Sequence, residues 1–212
     1  MKVFVINGGQ IYNNDFGTGH LNEQMTQWTV DFFTRRGDVV RQTNINQPLD
    51  LQEEVNKYTW ADLVIYNFPI WWMDVPYGFK KYIDDVWQAG KGAMYVSDGR
   101  TRKDPSRKYG SGGLMQGKKY MVNCSLNAPE EAFTDPVQLT AGHPLDDALL
   151  SHFHIMHKFI GFESALPGYH LYDVYKNQDA GRFEQYEKEF KDNLKQAVSE
   201  CSCQRLSYPL YF

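Results

Sequence analysis

Two periodicities alternate along this chain from end to end, and that alternation constrains the fold more than any other feature. Lys2–Asn7 (KVFVIN) is a continuous β-branched and aromatic run that meets Gly8-Gly9, the pattern of a buried parallel strand. Leu21, Met25, Trp28 and Phe32 then follow at helical spacing, with Arg35 and Arg36 in the last turn and Gly37 as the stop. Asp38–Thr43 reads as a second strand, Asp50–Thr59 as a short polar helix and Leu63–Phe68 as a third strand closed by Pro69. Pro76 suits the first turn of a helix whose stripe is Phe79, Tyr82, Ile83, Val86 and Trp87, ended by Gly90. Ala93–Val96 reads as a fourth strand and Tyr120–Ser125 as the next. Leu145, Leu149, Phe153, Met156 and Ile160 form one helix, and His170–Tyr175 a last strand. Phe183, Tyr186, Phe190, Leu194 and Val198 form the closing helix. Strand and helix in strict alternation demand right-handed crossovers and a parallel sheet covered on both faces.

The 212 residues suit a single domain, expected over residues 1–200 with a tail at 201–212. A net charge of −4 with acids and bases interspersed gives no basic stripe for nucleic acid. No apolar run approaches the roughly 20 residues of a membrane helix, and the opening MKVFVING is too short for a secretory leader. The expected location is cytoplasmic. Three irregularly spaced cysteines fit that, since they make no disulfide framework.

Ligands of a doubly wound sheet bind beyond the carboxyl ends of its strands, where strand order reverses. Three loops there are unusual. Gly8–Asn22 ends in Gly17-Thr18-Gly19-His20 and runs straight into a helix, so free N–H groups and the helix dipole would attract phosphate. An ordinary turn capped by Thr18 or Asn22 has the same pattern. Phe68–Pro76 (FPIWWMDVP) holds two adjacent tryptophans that cannot both enter one core from regular structure. At least one is expected to be exposed or in a pocket, for a flat ring or for a subunit interface. Asn123–Phe133 leaves its strand through small and polar residues, which suits backbone contact with a ring edge and equally a solvent loop. Between them, Ser97–Lys118 is longer than connections usually are and rich in Gly, Lys and Arg. Its Arg100, Arg102, Lys103, Arg107 and Lys108 suit phosphate steering or a solvated face.

The segments SDGRTRKDPSRKYGSGGLMQGKKYM (97–121), FPIWWMDVP, KKYIDDVW and LNAPEEAF closely resemble the modulator of drug activity B family of NADPH-dependent quinone reductases. The likeness runs over about residues 1–190 and is most specific between Trp60 and Phe133. It implies a flavodoxin-like fold with a five-stranded parallel sheet of order 2-1-3-4-5. It also implies a homodimer, tightly bound FAD, NADPH as hydride donor, a quinone as acceptor and ping-pong kinetics.

By the same resemblance, Gly17, Thr18, Gly19, His20, Leu21 and Asn22, with Glu23 and Gln24, would cradle the FAD pyrophosphate. Pro69, Ile70, Trp71 and Trp72 would contact the isoalloxazine, and Ser125, Leu126, Asn127 and Ala128 its polar edge. Tyr109 in KYGSGG would help hold the cofactor, and Trp72 with Met73 would wall the cavity. Two departures stand out. The family's histidine and serine before the first-loop glycine are replaced by Asn14-Asp15-Phe16, with His20 placed later. The tyrosine and histidine that flank the flavin in the mammalian enzymes have no counterpart, so no protein acid or base is assigned.

No metal site is expected. On a helix His152 and His154 point about 200° apart, and nothing nearby completes a set with His154 and His157. An azo- or nitro-reductase of the same fold shares all these features. A flavodoxin-type electron carrier would show a stronger acidic docking face.

Overall fold

A computed structural model describes residues 1–12, 19–176 and 180–204. In chain order the elements are β1 (Lys2–Asn7), α1 (His20–Arg35), β2 (Val39–Asn44), α2 (Leu51–Trp60), β3 (Leu63–Pro69), α3 (Tyr77–Ala89) and β4 (Lys119–Ser125). The rest are α4 (Glu131–Thr134), α5 (Leu145–Leu149), α6 (Ser151–Ile160), β5 (Ser164–Leu166), β6 (His170–Leu171) and α7 (Ala180–Gln204). Every strand pairing is parallel, in the order β2-β1-β3-β4-β5. The expected order of lanes is therefore present, with β6 as an additional short strand against β4.

Alternation along each strand sorts the core into two layers. Val3, Val5, Leu63, Ile65 and Met121 pack against α1 and α7 through Met25, Trp28, Phe190 and Leu194. Their neighbours Phe4, Ile6, Val64, Tyr66, Phe68 and Val122 face the other way, among Val55, Phe79, Ile83, Val86 and Phe153. Each of these large side chains contributes roughly 1.5–3 kcal/mol by leaving water. The central strands read as unbroken apolar runs because both of their faces are covered. Edge strand β2 (VVRQTN) is mostly exposed and correspondingly polar.

Four sequence readings need correction. Ala93–Val96 is not a strand, because β4 lies directly beside β3 and no lane remains between them. The segment is a turn closed by Met94 N–H to Gly90 O (2.7 Å) and Gly92 N–H to Tyr95 O (2.7 Å), with only isolated bridges at Tyr95. The last strand, read over His170–Tyr175, is confined to the two residues of β6, and an unread strand, β5, precedes it across Pro167 and Gly168. Gly168 passes so close to β4 that a Cβ there would lie 1.7 Å from the Val122 carbonyl oxygen. The helix read over 145–160 bends at buried Leu150 into α5 and α6. In a straight helix Asp146 and His154 would be about 12 Å apart along the axis; the bend brings Asp146 Oδ1 to 3.2 Å from His154 Nε2. Finally, α7 continues through Gln204, past the expected boundary at 200, while residues 205–212 lie outside the described residues.

The long connection from Ser97 to Lys118 is packed rather than loose. A Cβ on Gly112 would sit 2.0 Å from the Ser97 carbonyl oxygen, and one on Gly113 2.1 Å from the Ile160 carbonyl carbon. The glycines of KYGSGG thus let the loop close on itself and on the end of α6.

Candidate active site

A cavity of about 610 Å³ opens beyond the carboxyl ends of β1, β3 and β4, beside the point where the chain turns from β2 on one side of β1 to β3 on the other. Its wall comes from four places: the loop after β1 (Gln10, Gly19) with the first turn of α1 (His20, Leu21, Asn22), the loop after β3 (Pro69 to Met73), the loop after β4 (Ser125 to Ala128), and Val174-Tyr175 after β6.

The first loop is fixed at its start. Asn7 Oδ1 accepts the Gly9 N–H at 2.9 Å, and Asn46 Nδ2 donates to the Gly9 carbonyl at 2.8 Å. Gly9 lies against Asn22, where a Cβ would be 2.7 Å from the Asn22 Cβ. Asn22 is itself buried, and its Oδ1 accepts from Ser125 Oγ at 3.3 Å, joining the wall of α1 to that of β4. Just below runs a row of asparagines in register across the three central strands, Asn7, Asn67 and Asn123. Asn123 Nδ2 donates to Asn67 Oδ1 at 2.9 Å. Helix α1 starts from Gly19 in the left-handed conformation (φ 74°) with no side-chain cap. The N–H groups of His20, Leu21 and Asn22 have no acceptor among the described residues. The positive end of the helix therefore faces the cavity.

The second loop is a tight hairpin. Trp71 and Asp74 exchange both backbone hydrogen bonds (2.9 and 3.1 Å), and the two residues between them, Trp72 and Met73, both have positive φ (50° and 65°). Such a two-residue turn ordinarily carries Asn or Gly, because a Cβ is strained there by about 1 kcal/mol or more per residue. Here it carries Trp and Met, and Trp72 is 96% exposed. Trp71 is half buried, its ring 4.5 Å from Tyr12, which in turn lies 6.1 Å from Tyr77. Burial and the neighbouring Tyr77 raise the Tyr12 hydroxyl above its usual pKa.

The third loop leaves β4 at Ser125. Ser125 O accepts from Ile70 N–H (2.8 Å) and Leu126 N–H bonds Leu171 O (2.9 Å), whereas the N–H groups of Asn127 and Ala128 donate to nothing among the described residues. They are free donors on the cavity wall.

The structure thus brings Gly19, His20, Leu21, Asn22, Pro69, Ile70, Trp71, Trp72, Ser125, Leu126, Asn127 and Ala128 to one cavity. Gly17 and Thr18 lie outside the described residues. Glu23 and Gln24 do not reach the wall; Glu23 faces a separate polar cavity of about 420 Å³ between α1 and α2. Tyr109 is also off the wall, exposed, with its ring 5.4 Å from Phe159 and the Arg100 guanidinium 5.2 Å above it. Sequence reasoning missed Gln10, whose Oε1 accepts the Gly78 N–H at the start of α3 (2.7 Å), and Val174 and Tyr175. Only their position after strand ends could have pointed to them.

Residues 1–194 match the model of a family described by its flavodoxin-like fold. The chain belongs to that family. It is 37% identical over 194 residues to the NADPH:quinone oxidoreductase MdaB of Haemophilus influenzae, spanning 92% of this chain and 97% of that protein. It is 37% identical over 177 residues to an uncharacterized protein of Schizosaccharomyces pombe, spanning 84% of this chain and 88% of the relative. Among solved structures it superposes on a candidate quinone reductase from Klebsiella pneumoniae with a TM-score of 0.69, at 23% identity, over 92% of this chain and 84% of the other. The last likeness concerns the fold.

Proposed function

We propose that this protein is a FAD-dependent NADPH:quinone oxidoreductase that reduces quinones by two electrons in a ping-pong cycle. The observation that carries the reading is the cavity itself: an open slot with the N-terminal end of α1 at one end, free N–H donors at another and an exposed tryptophan at its lip. The 37% identity to a quinone oxidoreductase over nearly the whole chain supports it.

The residues present fit a flavin. A volume of about 610 Å³ lies within the roughly 300–1,000 Å³ of small-molecule sites. His20, Leu21 and Asn22 would hold the cofactor's phosphates through their backbone N–H groups, with Gly17 and Thr18 completing the cradle. Asn127 and Ala128 would donate to the carbonyl edge of the ring, beside Ser125 and Leu126. Pro69, Ile70 and Trp71 would form the surface against which it lies. When bound, the flavin supplies hydride chemistry between NADPH and a quinone, which no side chain here could carry.

The protein's own contribution is orientation and exclusion of water. Trp71 and Trp72 narrow the slot over which donor and acceptor must lie flat. Donor and acceptor would use the same cavity in turn, which is the ping-pong scheme proposed here. Tyr109 does not line its own cavity, so in this reading it would act only on a second chain of a homodimer. The buried free thiol of Cys124 is in keeping with a cytoplasmic setting. An azo- or nitro-compound could use the same slot, because its openness sets shape rather than functional group.

Steady-state turnover with FAD-loaded protein tests the reading. Varying NADPH at several fixed concentrations of a benzoquinone should give parallel double-reciprocal lines. Intersecting lines would remove the ping-pong scheme, and absence of NADPH oxidation with every quinone would remove the activity.

A further inference from the structure

We infer that Gln10 is a cofactor-binding residue: its side-chain Nε2 is a fixed hydrogen-bond donor for a hydroxyl or phosphate oxygen of the flavin, between the ring and the end of α1. The inference rests on the flavin reading proposed above and adds a residue to it.

The orientation of the amide follows from its partner. The Gly78 N–H donates to Gln10 at 2.7 Å. Only the carbonyl oxygen of a glutamine side chain accepts, so Oε1 is committed to α3 and Nε2 is the donor left over. Gln10 forms part of the cavity wall, whereas Gly78 does not. Nε2 donates to nothing among the described residues.

The residue is held at both its backbone and its side chain. Asn46 brackets the backbone: its Nδ2 donates to the Gly9 carbonyl at 2.8 Å and its Oδ1 accepts the Ile11 N–H at 3.0 Å. Asn46 Nδ2 also donates to Asn44 Oδ1 at 2.9 Å, which ties the bracket to the end of β2. The side chain can rest on α3 because residue 78 is glycine; a Cβ there would lie 2.6 Å from Gln10 Oε1 and 2.9 Å from its Cδ. A donor held in this way loses little freedom when a ligand arrives.

Its place selects the part of the ligand it meets. On one side its neighbours lie against the start of α1, where a Cβ on Gly19 would be 3.5 Å from Ile11 Cγ1 and 3.7 Å from the Gly9 carbonyl oxygen. On the other side the Tyr12 ring lies 4.5 Å from Trp71. Gln10 therefore stands between the helix end proposed for the phosphates and the surface proposed for the ring. A flavin carries its sugar-alcohol hydroxyls and its first phosphate between those two parts, and their oxygens accept hydrogen bonds. A purely structural role for Gln10 would be to cap the start of α3, whose N-cap residue Pro76 makes no side-chain bond. Capping uses Oε1 alone and cofactor binding uses Nε2, so substitutions separate the two.

The experiment titrates the full-length, flavin-free chain with FAD, following flavin fluorescence, as wild type, Gln10→Glu, Gln10→Ala and Gly78→Ala. Hydrogen exchange at the residue 78 amide and the melting temperature are read on the same preparations before FAD is added. Gln10→Glu keeps an oxygen for the Gly78 N–H but puts a second oxygen where the donor was. We expect it to retain protection of the Gly78 amide and yet weaken FAD about tenfold. Gln10→Ala should lose that protection and weaken FAD about fivefold. Gly78→Ala leaves Gln10 in place in the sequence but pushes its amide off α3. It should melt at or above the wild-type temperature, because alanine favours helix over glycine, and still weaken FAD about threefold. FAD affinity at the wild-type value in Gln10→Glu or in Gly78→Ala would overturn the inference, leaving Gln10 a cap and the flavin reading intact. A wild type that binds no flavin would remove that reading and the inference with it.

Discussion

The buried face under α6 and the lip of the cavity are built on opposite terms. Under α6, a chain of buried polar side chains is linked by hydrogen bonds, although Tyr58 Oη, Trp87 Nε1 and His170 Nδ1 are left without a partner among the described residues. His157 is fully buried, with Nδ1 2.8 Å from the Phe153 carbonyl and Nε2 2.8 Å from the Tyr66 hydroxyl, and its ring stacks 4.0 Å from Tyr120. The Tyr120 hydroxyl lies 2.8 Å from His154 Nδ1, and His154 and His170 each reach one oxygen of Asp146 at 3.2 Å. At the cavity lip, by contrast, backbone donors are left free, the turn is strained, and a tryptophan stands in solvent. The strongest pKa shifts lie on the linked side. Burial pushes His157 down to about 3. Burial also opposes the charge on Asp146, yet hydrogen bonds and charge from His154 and His170 hold its carboxyl well below the usual range. A shifted titration here marks architecture, whereas free backbone donors facing a cavity mark the site.

The largest effect that separates the two regions should come with acid. His157 stays neutral in the fold to a pKa of about 3 but titrates at about 6.5 once unfolded. The unfolded chain therefore binds more protons between those values. Stability is fully present above about pH 6.5 and declines as pH falls toward 3, by at most about 1.4 kcal/mol per unit. Depressed Asp146 adds a loss of the same sign below about pH 4. Denaturant titrations across this range should show that slope, and His157→Phe should flatten it. A flat wild-type profile would place His157 in water.

Next in size is Gly113→Ala, which drives a Cβ into the backbone at Ile160. It should destabilise by about 2–3 kcal/mol in urea. Tyr66→Phe removes the hydrogen that Nε2 of His157 accepts, at a cost of about 1–2 kcal/mol. The smallest change in stability should come from the lip. Replacing Trp72-Met73 by Asn-Gly relaxes the left-handed turn, raising stability by about 0.5–1 kcal/mol while weakening acceptor binding. If that replacement instead lowers the melting temperature, the lip is as structural as the face under α6 and the contrast fails.

How much of this could be read from sequence follows the same division. β1, β3, β4, α1 and α3 were legible because both faces of the sheet are covered and their apolar periodicity is unbroken. Ala93–Val96 misled because a short apolar run between glycines looks alike as strand or turn, and only the direct pairing of β3 with β4 decides it. The loops around the cavity were legible in outline, through adjacent tryptophans and glycines opening a helix. Tyr12, Gln10 and Tyr175 were not, because backbone position rather than local pattern brings them near. The bend at Leu150 was hidden too, since the apolar stripe crosses it without a break.

Flavin binding is the property on which the account turns. The purified chain should be titrated with FAD and with FMN, following flavin fluorescence, and any cofactor it carries should be released and chromatographed. The account predicts tight, saturable quenching by FAD at one site per chain, bleaching of its visible absorbance by NADPH and recovery on adding a quinone. A chain that leaves both flavins free in solution would contradict it, and the cavity beyond β1, β3 and β4 would have to hold something else.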